Sequence, residues 1–142
     1  MRLAFKKIDP RAVIPAYAHE GDSGMDIRAL DSGTVVGRES LLVRTGICAS
    51  IPEGYELQVR PRSGISSRLG LSAVIGTVDS NYTGEIKVLL FNMSPFSVGF
   101  CEGDRIAQLV LAPVARAEIV EVDEIMDDER RGDAGFGSTG VK

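Results

Sequence analysis

Tyr55-Glu-Leu-Gln-Val-Arg60 decides how the chain is read. Apolar Tyr55, Leu57 and Val59 alternate with polar Glu56, Gln58 and Arg60, the period of two expected of a strand with one buried face. Working outward, the same texture recurs. Leu41–Ile51 precedes it, rich in Val, Ile, Leu and Thr, and Thr34–Val36 leads into that run by a turn. Leu71–Val78, Glu85–Asn92, Phe96–Phe100, Ile106–Ala112 and Ala117–Val122 follow, and Leu3–Phe5 and Ala12–Ile14 are shorter candidates near the start. Prolines 10, 15, 52, 61, 95 and 113 fall between or at the ends of these runs, where strands tolerate them. Only Ser63–Leu69 suggests a short helix. Many short strands with almost no helical periodicity predict an all-β sandwich, jelly roll or small barrel.

The composition sets bounds on function. The 142 residues suit one domain with a sizeable core. The net charge of −4 gives no bulk attraction to nucleic acid or an anionic membrane, so neither is expected as a partner. No apolar run approaches the ~20 residues of a membrane span, and no signal-peptide core opens the chain, so a cytoplasmic location is expected (nuclear as well, in a eukaryote). Cys48 and Cys101 are far apart and His19 is the only histidine, which argues against a zinc site or a Cys–His nucleophile pair. Both thiols are expected to be free and buried.

Glycine is abundant, 16 residues in all, and concentrated in clusters. The densest is Arg131-Gly-Asp-Ala-Gly-Phe-Gly-Ser-Thr-Gly140. Its backbone entropy and single large apolar side chain suit a mobile arm better than a core. Arg131, Ser138, Thr139 and the backbone N–H groups could hold phosphate, and Phe136 could stack on a flat ring. Residues 1–125 are therefore assigned to a β core, and 126–142 to a charged hinge and a glycine-rich arm.

Four further clusters carry candidate chemistry. Gly21-Asp-Ser-Gly-Met-Asp26 places two carboxylates beside glycines, which suits a metal-bound water and equally a turn. Pro61-Arg-Ser-Gly64 combines a cation, a hydroxyl and a helix start, either an anion site or a helix capped by Ser63. In Gly76-Thr-Val-Asp-Ser-Asn-Tyr-Thr-Gly84 a turn explains Asn81 and Gly84. Asp79 follows an apolar run and could face a pocket as a general base, with a tyrosine ring near a sugar. Gly103-Asp-Arg-Ile-Ala-Gln108 could reach an anion through Arg105 and Gln108, or form a tight turn in which Asp104 and Arg105 pair with each other or with neighbours. Together these clusters point to a nucleotide site without a P-loop.

In this order the five clusters closely resemble the motifs of the trimeric dUTPases, across residues 21–140. The resemblance implies an all-β jelly-roll (β-clip type) subunit of a homotrimer, with a flexible C-terminal arm closing active sites at subunit interfaces. It implies hydrolysis of dUTP to dUMP and pyrophosphate, which keeps uracil out of DNA and supplies dUMP for thymidylate synthesis. In that scheme Asp79 activates the water that attacks the α-phosphorus. Tyr82 packs under the deoxyribose and rejects a 2′-hydroxyl, and the hairpin near Gly76 and Lys87 recognises uracil. Arg62, Ser63, Gly64 and Gln108 bind phosphate, while Arg62 and Arg105 also admit a structural role, pairing across subunits. Arg131, Gly137, Ser138 and Thr139 would close on the triphosphate, and Phe136 would stack on uracil. Asp26 would hold Mg²⁺ through water.

The sequence departs from the family pattern at Ser23, Met25, Asn81, Thr83 and Ala134, and none of these removes a proposed catalytic group. Two other readings share the fold: a dCTP deaminase, which ammonia release would reveal, and a dUTP-gated regulator that binds a protein partner. Asp79-Ser-Asn-Tyr82 and the intact arm favour hydrolysis, and no additional insert marks a partner-binding module.

Overall fold

The computed structural model describes residues 1–124. The first strands are β1 (Ala4–Lys7), β2 (Ala16–Tyr17), β3 (Gly24–Arg28), β4 (Gly33–Val35), β5 (Ser40–Ser50) and β6 (Tyr55–Arg60). A single helix, α1 (Ser63–Leu69), precedes β7 (Leu71–Ala73), β8 (Gly76–Val78), β9 (Ile86–Asn92), β10 (Val98–Phe100) and β11 (Arg105–Pro113). Two sheets, ordered β1-β5-β9-β7 and β2-β3-β11-β6-β8, pack around one core, and β10 and β4 form a small third pair. This is the jelly roll that the family resemblance implied and one of the three all-β folds that the strand pattern allowed.

The Tyr55–Arg60 alternation is realised directly. Leu57 and Val59 are buried, while Glu56, Gln58 and Arg60 line the outer face. There Gln58 Nε2 donates to Glu56 Oε1 at 2.6 Å and Arg60 Nε donates to Gln58 Oε1 at 2.9 Å, a polar ladder along the strand. On the facing sheet, Ile86, Val88 and Leu90 of β9 point inward and Lys87 and Leu89 outward. The two inner faces bury Ile27, Leu57, Val59 and Leu109 with Ile86, Val88 and Leu90, the apolar layer that drives a sandwich together.

Several sequence expectations change. Leu71–Val78 is not one strand: β7 pairs with β9 and β8 pairs with β6, so the run crosses between sheets at Val74 and Ile75. Ala12–Ile14 is not a strand; Ala12 instead fills a small satellite core with Leu30 and Ile47. Ala117–Val122 is not a strand within the described chain, although its alternation fits one. Conversely, Gly24–Arg28 is a strand with β2 and β11 on its two sides, and Met25 and Ile27 are buried in the core. Neither cysteine is a buried thiol: Cys48 is half-buried and Cys101 is exposed.

The helix forms where expected, but Ser63 does not cap it. Arg62 is the N-cap, extended at φ −108° and ψ 130°, and its side chain makes no capping hydrogen bond. Gly70 closes the helix in the left-handed conformation at φ 68°.

Candidate active site

Four of the five sequence clusters fall within the described residues, and they gather into two surface depressions. The first, of about 460 Å³, is lined by Asp22, Asp26, Arg62, Ser63, Gly64 and Gln108 among others. It exists because β3, β11 and β6 are adjacent strands whose outer faces carry Asp26, Gln108 and Arg60, three residues in direct register. Helix α1 starts at the rim of this row. Its first-turn N–H groups have no intrahelical acceptor, and Ser63 supplies a hydroxyl beside them.

Two guanidinium groups hold Asp26. Arg62 Nε lies 2.6 Å from Asp26 Oδ1, and Arg105 Nη1 lies 3.2 Å from Oδ2. Arg62 Nη2 adds a hydrogen bond to Oδ2 at 3.3 Å. Both arginines thus pair with Asp26 of the same chain. Asp104 does not pair with Arg105; its carboxylate accepts the Cys101 N–H at 2.8 Å and closes the turn into β11. The Asp26 side chain is largely buried, with 15% exposure, so this clamp fixes one negative charge and two positive charges at the mouth of the depression.

Gln108 is held just as definitely. Its Nε2 donates to the Pro61 carbonyl at 2.8 Å, linking β11 to the loop before α1. The space it occupies depends on Gly24. A Cβ at position 24 would lie 2.0 Å from Gln108 Oε1 and 2.8 Å from its Cδ. The glycine of the first cluster therefore makes room for the glutamine of the fourth, a dependence that no spacing in the sequence displays.

The second depression, of about 420 Å³, lies at the end of β8 and brings together Asp79, Tyr82 and Lys87 with Leu42, Thr77 and Val78. Asp79 stands at the end of β8, exposed, as the apolar run before it predicted. A turn follows in which Tyr82 N–H donates to the Asp79 carbonyl at 3.0 Å. The Tyr82 ring folds back over Gly84, and its phenol donates to the Glu85 carbonyl at 3.0 Å. Gly76, the first residue of β8, pairs with Val59 and lines neither depression.

The two depressions share no lining residue. The chain thus presents one depression with Asp26, Arg62, Ser63, Gly64 and Gln108, and a separate one with a carboxylate that has no side-chain partner among the described residues, a ring and a lysine. Arg131, Phe136, Gly137, Ser138 and Thr139 lie outside the described residues. His19 and Arg60 also line the first half and were not anticipated. For His19 the available signal was its place three residues before Asp22, whose carboxylate accepts the His19 N–H at 2.8 Å.

The dUTPase family profile matches residues 11–140. The chain belongs to the dUTPase family. It is 46% identical over 145 residues to the deoxyuridine 5′-triphosphate nucleotidohydrolase of Hydrogenobaculum sp. strain Y04AAS1, covering 100% of both chains. It is 44% identical to that of Picosynechococcus sp., covering 99% of this chain and 100% of the relative. Among solved structures, the Staphylococcus bacteriophage 80alpha dUTPase with dUPNHPP superposes with a TM-score of 0.92 at 29% identity, covering 99% of each chain. A dUTPase mutant from phage phi11 of S. aureus, described for its coordination of a structural Mg(II) ion, superposes with a TM-score of 0.82 at 25% identity, covering 87% of this chain and 98% of the other.

The family assignment fits the polar character of the first depression. Family members act on a triphosphate, and the first depression supplies cations, a hydroxyl and free backbone donors without any P-loop.

Proposed function

We propose that the protein is a dUTP diphosphatase, hydrolysing dUTP to dUMP and pyrophosphate. The observation that carries this reading is the exposed carboxylate of Asp79 at the end of β8, in one depression with Tyr82 and Lys87. This is the local arrangement that family members, named as deoxyuridine 5′-triphosphate nucleotidohydrolases, would need for a general base beside a sugar platform. Asp79 takes a proton from the attacking water as that water adds to the α-phosphorus, and pyrophosphate leaves. Tyr82 supports the deoxyribose face. Lys87 and the strand ends around Thr77 and Val78 face the base. Ser63, Gly64, Gln108 and the α1 N–H groups orient the phosphate chain, so that the water and the leaving group lie in line. Arg62 shares its charge between Asp26 and the phosphate mouth.

Two features support a site assembled from more than one subunit. The depressions are separate in a single chain, and a site that uses both needs them brought together. In addition, residues 114–124 form no helix or strand, and Ile119 and Val120 are 97% and 65% exposed. A homotrimer would bring the halves together and cover this apolar stretch, with 126–142 reaching on the order of 55 Å to close a site.

The residues also fit Mg²⁺ held through water. No group of three or more His, Cys, Asp or Glu side chains among the described residues could hold a metal directly. Asp26 already accepts from two guanidiniums, so its remaining lone pairs suit a hydrogen bond from a coordinated water better than direct ligation. Bound with the triphosphate, Mg²⁺ would neutralise phosphate charge. The role in the cell is removal of dUTP from the DNA precursor pool and supply of dUMP.

The deciding experiment is Mg²⁺-dependent pyrophosphate release from dUTP, with UTP, dTTP and dCTP in parallel. Release from dUTP alone supports the reading. Equal turnover of all four, or ammonia release from dCTP, refutes it. Sedimentation of the full chain tests the trimer.

A further inference from the structure

We propose that Glu85 is a positioning residue for sugar discrimination, holding the Tyr82 ring through a tie to β5. The inference rests on the dUTP reading above and deepens it. The segment from Asp79 to Glu85 leaves one sheet at β8 and enters the other at β9. Within it, the hydrogen bonds are the Tyr82 N–H to the Asp79 carbonyl and the Tyr82 phenol to the Glu85 carbonyl. The position of the ring is therefore set largely by where the Glu85 main chain is anchored.

That anchor is the Glu85 side chain, which is 12% exposed. Its Oε1 accepts the Gly46 N–H at 2.9 Å, and its Oε2 faces Arg44 Nε at 3.3 Å. Both donors lie where the β5–β9 register slips between Val43 and Ile47. Gly46 adopts φ 69°, and a Cβ there would approach the Ala12 Cβ at 2.8 Å, so the bulge requires glycine. The bulge leaves the Gly46 N–H without a ladder acceptor on β9, and Glu85 fills that role. The Thr45 hydroxyl donates to the Ile86 carbonyl beside it, a second clamp on the same junction.

The tie then passes to the ring. The Glu85 carbonyl receives the Tyr82 phenol, and Gly84 leaves the space: a Cβ at Gly84 would lie 2.5 Å from the phenol oxygen and 2.7 Å from Cζ. The ring is held between a glycine and a carbonyl, with its remaining surface toward the depression that contains Asp79. Discrimination against a 2′-hydroxyl depends on the gap between ring and sugar, and misplacement by about 1 Å changes such rates by on the order of 10²-fold. The Gly46 N–H contributes more than Arg44, which is half-exposed and screened by solvent.

The test compares kcat/KM for dUTP and UTP in the wild type, E85A, E85Q, Y82F and the E85A/Y82F double variant, with folding checked by circular dichroism. E85A is expected to lower the dUTP-to-UTP ratio by about tenfold or more. E85Q keeps an acceptor for Gly46 and should retain most of the ratio. Y82F should fall as far as E85A, and the double variant no further, because both act through one phenol–carbonyl link. A folded E85A with the wild-type ratio overturns the inference, as does an additive double variant. If E85A does not fold, Y82F with the wild-type ratio overturns it. A wild type that fails to turn over dUTP refutes the underlying reading instead.

Discussion

Gly24→Ala would test whether the first and fourth clusters form one unit. Position 24 is in β3, opposite Val110, and its backbone has no positive φ, so alanine is compatible with the strand itself. The nearest conflict is with Gln108, whose Oε1, Cδ and Cβ would lie 2.0, 2.8 and 3.1 Å from the new Cβ. Since Oε1 and Cδ are at the end of a flexible side chain, Gln108 should swing away, and the 3.1 Å approach to its Cβ then asks the strands to part by a few tenths of an ångström. The cost is then the Pro61 hydrogen bond, about 1 kcal/mol, and a strained or altered rotamer, about 0.5–1.5 kcal/mol. A total of about 1.5–2.5 kcal/mol lowers the melting temperature by several degrees without unfolding the chain.

The functional loss should be larger than the loss of stability suggests. Gln108 would leave the row of Asp26, Gln108 and Arg60 at the depression proposed to take the phosphates. Loss of one phosphate contact, about 1.4 kcal/mol, raises KM for dUTP about tenfold. Steady-state kinetics and thermal melts of G24A, Q108A and G24A/Q108A provide the assay. G24A should match Q108A in KM, and the double variant should be no worse than Q108A, because a clash with a side chain already removed has no further effect. A G24A variant with wild-type KM beside an impaired Q108A would refute the reasoning, since it would show that Gln108 does not need the space Gly24 leaves.

Asp79→Asn should lower kcat by roughly 10²-fold or more, as loss of a general base does, with the melting temperature little changed because the carboxylate is exposed at the end of β8. Deleting residues 126–142 should leave a folded β core by circular dichroism with crippled turnover; loss of the fold instead would make this segment structural. Arg11→Ala should cost little stability at pH 7, because Arg11 and its partners Asp31 and Glu102 are about half-exposed. That difference should be pH-dependent. The residue-11 backbone N–H does most to hold the Asp9 carboxyl below its ordinary 3.8 and is kept by alanine, so only the smaller guanidinium share separates the two proteins; it is present above 3.8 and is lost as pH falls through the lowered value. Melts of both proteins should therefore converge in acid, and a constant offset from pH 7 to pH 2 would disprove the linkage.

How much of this was legible in the sequence depended on whether a residue's role follows from its neighbours in the chain. The alternation of Tyr55–Arg60 is a local property, and the strand formed as read, with Leu57 and Val59 inward. Asp79 was legible for the same reason: a carboxylate directly after an apolar run must leave the sheet at its end. Gly24–Arg28 was not, because its glycine and aspartate resemble a turn, and burial of Met25 and Ile27 in the core overrode that propensity. Leu71–Val78 reads as one run because both halves are apolar, and only the pairing of β7 with β9 and β8 with β6 divides it.

The same distinction explains the site. Each half follows from its motif residues, yet what holds each half in place lies elsewhere in the chain: Gly24 makes room for Gln108, and Gly46 anchors Glu85. Ala117–Val122 shows the converse, an alternating stretch whose local signal is sound but which has no partner among the described residues. A strand needs a neighbour to satisfy its backbone and cover its apolar side, and a single chain's pattern does not say whose strand that neighbour is. If a second copy supplies it, the exposure of Ile119 and the separation of the two depressions have one cause: the subunit is folded, and the site is not complete until the subunits meet.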